Sequence, residues 1–184
     1  FFLNVTAQVL GVRIFEDIFS PFITGVLVLK ESFDLQNLLP LIGEEYLELD
    51  IETPTIQTAR IKGTFHVYKM GDKVNMGNAS VAYELNFISI EALVDMNKKI
   101  SKVYAGKISD IVSPFVYDTI DGLESSKKFV IENTRNTIKY VSPYWSPIKN
   151  LSFLAENSIS ETQSPSFLFF ENRDGFNFRS LEKL

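Results

Sequence analysis

The sequence predicts an α+β fold, with a β-rich first part in residues 1–95 and an α/β second part in residues 96–184. Two observations predict it. Apolar and polar side chains alternate along several segments before residue 90, which is the period of half-buried strands. After Ser89, apolar residues recur instead at helical spacing, between shorter strand-like segments. We therefore expect an antiparallel β-barrel or β-sandwich, followed by short helices, further strands and a closing hairpin.

The first part is expected to consist of strands joined by turns. The strands are residues 5–9 continued in 12–16, then 22–31, 46–52, 60–70 and 81–87, with one helical turn at 34–39. In the strand 60–70, we expect Phe65 and Val67 to face the core and His66 to face solvent. The glycine-flanked segment 71–77 is expected to be a loop between two antiparallel strands.

The second part is expected to begin with two helices. Ser89 can cap a helix at residues 90–97. A second helical pattern covers 107–120, and Pro114 inside it should kink or split that helix. Strands are expected at 128–133 and 137–141.

The last forty residues are expected to form a helix and a hairpin. Ser146 as N-cap and Pro147 at the first helical position predict a helix within residues 145–158. The sequence Asn-Arg-Asp-Gly at 172–175 predicts a hairpin turn, because Asp-Gly tolerates the positive φ that such turns require.

The composition excludes some classes of function. The chain has 184 residues, no cysteine and a formal net charge of −5, so disulfides and thiolate metal sites are impossible. A nucleic-acid surface is disfavoured, because neutralising phosphates takes clustered lysine and arginine. No apolar run reaches the roughly 18 residues of a membrane span. The chain starts at Phe1 rather than Met and stops at Leu184 within an apparent helix start, so we expect a portion of a longer polypeptide.

Residues suited to catalysis are few. His66 is the only histidine. It has no acidic neighbour at the spacing of a catalytic triad or metal site, so we interpret it as a surface residue. Segment 71–77 lacks the Gly-Lys-Ser/Thr ending of a phosphate loop. We expect no catalytic residue, no metal site and no cofactor.

Glu48, Asp50 and Glu52 lie on one face of the strand 46–52, opposite its apolar residues. Three carboxylates on one strand are most simply a solvated face. A hydrolase would instead need two carboxylates about 5–10 Å apart across a cleft. The functional alternative is an acidic, channel-facing strand that repels passing DNA phosphates.

Aromatic residues are concentrated near the end of the chain, where they can serve in packing or at an interface. They are Tyr144, Trp145, Phe167, Phe169, Phe170, Phe176 and Phe178. A core that closes a domain without disulfides is the simpler interpretation. Because Phe169 and Phe170 are adjacent, they should point to opposite faces of their strand. We therefore expect the hairpin to be covered on one side by its own domain and on the other by a neighbouring subunit or a second barrel.

Four motifs occur in order through residues 80–184. They are FISIEAL at 87–93, ISKVYAGKISDIV at 100–112, VSPYWSP at 141–147 with the helix LSFLA at 151–155, and FLFFENRDGFNFRSL at 167–181. In this order and spacing they resemble the baseplate central hub and tail-tube adaptor family of contractile-tailed bacteriophages, which is related to type VI secretion spike-hub proteins. Pro114 departs from the helix-forming residue expected at its position.

The resemblance implies a tail-tube-type β-barrel followed by an α/β insertion, as one part of a longer two-barrel hub protein whose second barrel would follow Leu184. It implies a homotrimeric ring that joins the tail tube to the central spike. The implied partners are the tail tube protein, the central spike or tail lysozyme, and neighbouring baseplate proteins. DNA would only pass through the lumen, and the chain would not insert into a membrane.

The expected location is therefore the tail baseplate of a virion made in the host cytoplasm, and the expected role is structural and not enzymatic. Two alternatives stay open from the sequence. The first is the hub of a bacterial contractile injection or secretion system. The second is a soluble ligand-binding β-barrel whose aromatic residues line a cavity. A carboxylate-based hydrolase fused to a tail is a third and weaker alternative.

Overall fold

The structure of the chain, a computed structural model, describes residues 3–31, 45–53, 56–77 and 80–184. The chain divides into two compact units, Phe1–Phe15 with Thr24–Ile90 and Glu16–Ile23 with Glu91–Leu184. The short segment Glu16–Ile23 therefore belongs to the second unit, although it connects two strands of the first. The helical turn expected at 34–39 lies outside the described residues.

The first unit is an antiparallel sheet. After a 3₁₀ turn, Thr6–Gln8, its strands are β1 (Val9–Phe15), β2 (Thr24–Glu31), β3 (Tyr46–Thr53), β4 (Ile56–Met70), β5 (Val74–Gly77) and β6 (Ser80–Ser89). The order across the sheet is β1-β2-β6-β4-β3, and β5 also pairs with β6. Among the described residues, β1 and β3 are the two outer strands and do not pair with each other.

These strands confirm a β-rich α+β fold with two local corrections. The strand expected at 5–9 is wrong up to Gln8, because residues 6–8 form the 3₁₀ turn. The segment 71–77 is not a loop throughout, because β5 occupies its second half and pairs with the beginning of β6. β5 has only four residues, all of them exposed, which is too short a run for alternation to distinguish a strand from a loop.

One face of this sheet forms the core of the first unit. It carries Leu27, Leu29, Leu49, Phe65, Val67, Tyr83, Leu85 and Phe87, all less than 9% exposed. A Cβ at Gly25 would lie 2.2 Å from the ring of Phe87, so glycine is what allows this ring to lie against β2. Full burial of a phenylalanine or leucine side chain contributes about 1.5–3 kcal/mol.

The expectation that His66 lies at the surface is wrong, since its exposed fraction is 8%. Its side chain lies on the polar face of β4, as expected. In the sheet, however, His66 pairs with Tyr46 of β3 on one side and with Ile88 of β6 on the other. The ring of Tyr46 lies 6.1 Å from the imidazole. Large side chains on both adjacent strands therefore bury His66, although the alternation of the sequence predicts that it faces solvent.

The second unit mixes short helices with two small sheets. Its elements are α1 (Glu91–Asn97), β7 (Val103–Lys107), α2 (Ile108–Ile111), α3 (Ser113–Tyr117), β8 (Phe129–Ile131), β9 (Thr137–Val141), α4 (Pro147–Glu156), β10 (Phe167–Asn172), β11 (Gly175–Ser180) and a final 3₁₀ turn, Leu181–Lys183. β10, β11 and β8 form one sheet, and β7 pairs with β9. The helices expected at 90–97 and within 145–158 are confirmed.

Local signals explain where these helices begin. The helix expected at 107–120 is split into α2 and α3, and Pro114 lies in the first turn of α3. At the start of α4, the hydroxyl of Ser146 accepts a hydrogen bond from the backbone N–H of Lys149 at 3.4 Å. Asp95 of α1 accepts a second hydrogen bond from the N–H of Ile148 at 2.7 Å, so two side chains satisfy donors that the helix itself leaves free.

The antiparallel pair β7 and β9, called here the β7–β9 ribbon, has one buried and one exposed face. Tyr104 and Tyr140 face inward, where Phe115 of α3 lies 4.8 Å from the ring of Tyr104. The residues on the outer face are all exposed and form the cross-strand pairs Val103 with Val141, Ala105 with Lys139, and Lys107 with Thr137.

Candidate assembly surfaces

The aromatic hairpin is formed by β10 and β11. Phe169 pairs with Phe178 across the ladder, and Glu171 pairs with Phe176. β8 adds a parallel strand on the other side of β11. Gly175, in the turn, has a φ of +128°, and a Cβ there would lie 2.1 Å from the backbone oxygen of Lys128, so only glycine fits.

The chain itself covers both faces of this hairpin. Phe167, Phe169, Phe170, Phe176 and Phe178 are each at most 8% exposed. The edge of Phe22 meets Phe176 at 6.5 Å between ring centroids, and Phe129 meets Phe169 at 5.9 Å. The expectation that a neighbouring subunit or second barrel must cover the hairpin is therefore wrong. These five rings pack inside the chain.

Tyr144 and Trp145 differ in their surroundings. The ring of Trp145 packs edge-on against Phe153 at 5.7 Å, and the Nζ of Lys149 lies 4.6 Å from its centroid. Tyr144 is 69% exposed and has a φ of +61°, a left-handed conformation that costs energy for any residue with a Cβ. Of the aromatic residues expected from the sequence, Tyr144 is the one presented to solvent.

A buried ionic cluster lies beneath the hairpin, and sequence reasoning missed it. The Nζ of Lys127 contacts a carboxylate oxygen of Glu91 and one of Glu171, each at 2.6 Å. Ser125 donates its hydroxyl to Glu91 at 2.6 Å, and the backbone N–H of Ile23 donates to Glu171 at 3.0 Å. We call these residues the Lys127 cluster. It connects α1, the hairpin and the segment Glu16–Ile23 within the second unit.

The three expected channel residues, Glu48, Asp50 and Glu52, lie on β3 and are exposed. Arg60 on β4 forms a forked pair with Asp50, with distances of 2.6 and 2.8 Å from its two nitrogens to the carboxylate oxygens. This hydrogen-bonded pair lowers the pKa of Asp50. Lys62 is directly opposite Asp50 in the ladder. This exposed face of β3 and β4 therefore carries both positive and negative charges and is not purely acidic.

Large apolar side chains are also exposed on two other strands of the first unit, β5 and β1. All four residues of β5 are exposed, including Val74 at 58% and Met76 at 53%. Leu10 and Phe15 on the outer strand β1 are 55% and 51% exposed. Outer strands have free backbone groups that can pair with another chain. These strands are therefore candidate surfaces for protein–protein contact.

Within the described part of the chain, no group of three or more His, Cys, Asp or Glu side chains could hold a metal ion. No helix formed by the described residues has both the length and the apolar character to span a membrane.

Comparisons with known proteins find similar folds among solved structures. No protein-family model matches the chain, and no curated protein sequence matches it. Among solved structures, the chain is similar to the 43 kDa tail protein of prophage MuSo2 from Shewanella oneidensis, with a TM-score of 0.52 and 11% identity over 91% of this chain.

A second similar structure is the E. coli c3393 protein, with a TM-score of 0.50 and 11% identity over 93% of this chain. It is described as a component of the type VI secretion system with structural similarity to the T4 bacteriophage tail proteins gp27 and gp5. The chain has the fold of these tail and secretion proteins. It spans 48% of the length of each, so it corresponds to about half of either structure. The resemblance to baseplate hub proteins is thus confirmed at the level of fold.

Proposed function

We propose that the chain is a structural part of the central baseplate hub of a contractile phage tail, in a trimeric ring that joins the tail tube to the central spike. The observation that carries the proposal is the shared fold with a prophage tail protein and a secretion-system protein over more than nine-tenths of this chain. In this proposal residues 1–95 form the tube-like β-domain and residues 96–184 the α/β portion. The role is mechanical and not enzymatic.

The exposed strands of the first unit support an assembly role. Among the residues that the structure describes, β1 and β5 each pair with one strand only, and they carry large exposed apolar side chains, including Phe15 and Met76. Obligate subunit interfaces are extended and apolar, and bury about 2,000–5,000 Å². The proposed partners are two further copies of the protein, the tail tube protein, the spike or tail lysozyme and neighbouring baseplate proteins.

The proposed lumen surface is the outer face of β3, with DNA in contact only during passage. Glu48 and Glu52 form no ion pair with a described residue, so they can repel phosphates even though Asp50 is paired with Arg60. The location that follows is the baseplate of a virion, with no membrane insertion of this chain.

The hub of a bacterial contractile secretion system is the second candidate, because one of the two similar structures is a type VI secretion component.

Antibody labelling distinguishes the two candidates. An antibody raised against the purified chain, viewed by electron microscopy, should bind one end of the tube, where the baseplate lies. Labelled ends on free particles containing DNA support a phage hub, and labelled ends on assemblies anchored in cells support a secretion hub. Labelling along the tube, or on neither structure, contradicts both.

A further inference from the structure

An open cleft in the second unit has no part in the hub proposal. It lies between the turn before β9 and the loop after α4, and has a volume of about 590 Å³. Its lining residues are Arg135, Asn136, Thr137, Ile159 and Gln163. Ligand sites in proteins commonly measure about 300–1,000 Å³, so this cleft is large enough for a short peptide segment.

Hydrogen bonds hold the two walls of the cleft together. The side chain of Asn136 donates to the backbone oxygen of Asn157 at 2.7 Å and accepts from the N–H of Ile159 at 3.0 Å. The N–H of Arg135 donates to the backbone oxygen of Ile159 at 2.8 Å. A ligand would therefore meet walls that are already in place, which lowers the entropic cost of binding.

The cleft continues into a cationic surface. Arg135 is exposed, and its guanidinium forms no hydrogen bond or ion pair with any residue that the structure describes. Thr137 belongs both to the cleft and to the outer face of the β7–β9 ribbon, where Lys107 and Lys139 are likewise without an ion pair among the described residues. These three neighbouring cations thus have no ion-pair partner in the described part of a chain whose net charge is −5.

Apolar side chains accompany these cations. Ile159 in the cleft is 38% exposed, and Val103 and Val141, opposite each other on the outer face of the ribbon, are each 58% exposed. At about 3.3 Å per residue, the valine pair lies about 13 Å along the ribbon from Thr137. An extended segment of about five residues would reach from the cleft to the valines.

We propose that the Arg135 cleft and the outer face of the β7–β9 ribbon bind an extended acidic segment of a partner protein. Arg135 takes a carboxylate of that segment in a forked, charge-assisted pair. Lys139 attracts a second acidic group, while Val103 and Val141 contact apolar side chains. A nucleic acid fits less well, because single strands are bound by stacking on aromatic rings, and the cleft lining and the ribbon's outer face have none.

The test uses the peptide fluorescein-Leu-Glu-Val-Glu-Leu-amide, labelled at its N-terminus, titrated with the full-length protein and followed by anisotropy. Arg135→Gln should weaken binding at least about fivefold, because it removes the forked pair. Arg173→Gln is the matched control. It makes the same change of charge at an exposed arginine in the β10–β11 turn and should leave affinity within about twofold. Lys139→Gln should weaken binding by about twofold.

Four outcomes overturn the proposal. One is no binding of the peptide to the wild-type protein up to about 1 mM. Another is equal weakening by Arg135→Gln and Arg173→Gln, which would show a response to net charge alone. A third is equal affinity for a peptide with Gln in place of both Glu residues. The last is tighter binding of labelled oligothymidylate that is lost in Arg135→Gln, which would make the cleft a nucleic-acid site. None of these results depends on the protein being a hub.

Discussion

Replacing Lys127 by Met tests how the second unit is held together. Lys127 is the shared partner of two carboxylates, and the side chains of Glu91 and Glu171 are only 5% and 2% exposed. Removing one partner of a buried ion pair costs about 3–5 kcal/mol, because a charge is left buried without compensation. Lys127 itself is 28% exposed, so water can partly replace it. Ser125 and Ile23 also still donate hydrogen bonds. We therefore expect the low end, a loss of about 3 kcal/mol in the free energy of unfolding.

The assay is urea unfolding followed by the fluorescence of Trp145, which is the only tryptophan of the chain and lies in the second unit. With a denaturant slope of about 1.5–3 kcal/mol/M, Lys127→Met should lower the urea midpoint by about 1–2 M. Lys128→Met is the control, because the neighbouring lysine is exposed and forms no ion pair with a described residue. A loss below about 1 kcal/mol, or equal losses in both variants, would refute the reasoning.

Three further predictions concern a turn glycine, a buried carboxylate and the charged face of β3. Gly175→Ala should lower the free energy of unfolding by more than about 2 kcal/mol in the same urea assay. Gly77→Ala should lower it clearly less, because a Cβ at Gly77 meets open space. Similar losses in the two variants would contradict this. Burial raises the pKa of Glu132, but hydrogen bonds from Ser180 and Lys183 outweigh it and lower this pKa overall. The ionised Glu132 therefore contributes its full stabilisation above a pH of about 4.3, the usual pKa of a glutamate. This stabilisation is lost as the pH falls through the lowered pKa that Glu132 has in the folded protein. In Glu132→Gln, the free energy of unfolding should fall less steeply as the pH is lowered into the acid range. An unchanged acid dependence would show that Glu132 does not contribute to it. Reversing Glu48, Asp50 and Glu52 to Lys should slow DNA delivery and spare particle assembly, and unchanged infectivity would count against the lumen assignment.

Local signals made much of the fold predictable. Alternation over β3 and the Ser146-Pro147 start of α4 each depend on neighbours within one turn or one strand, and both are found as expected. The split of the helical pattern before Pro114 follows in the same way from the ring and the missing N–H of proline.

Long-range packing could not be predicted. Lys127 lies 36 residues from Glu91 and 44 from Glu171, and no period in the sequence links them. Ile23 lies 148 residues from Glu171, so nothing local shows that Glu16–Ile23 belongs with the hairpin. For the same reason the Asn-Arg-Asp-Gly turn predicted the hairpin correctly, but the adjacent phenylalanines did not show that the chain itself buries both of its faces.

Native mass spectrometry of the full-length protein, alone and mixed with its tube and spike proteins, tests the hub assignment most directly. The account predicts a complex with three copies of this protein for each spike trimer. A protein that keeps the mass of one copy up to about 100 µM, and that binds neither partner, would contradict it.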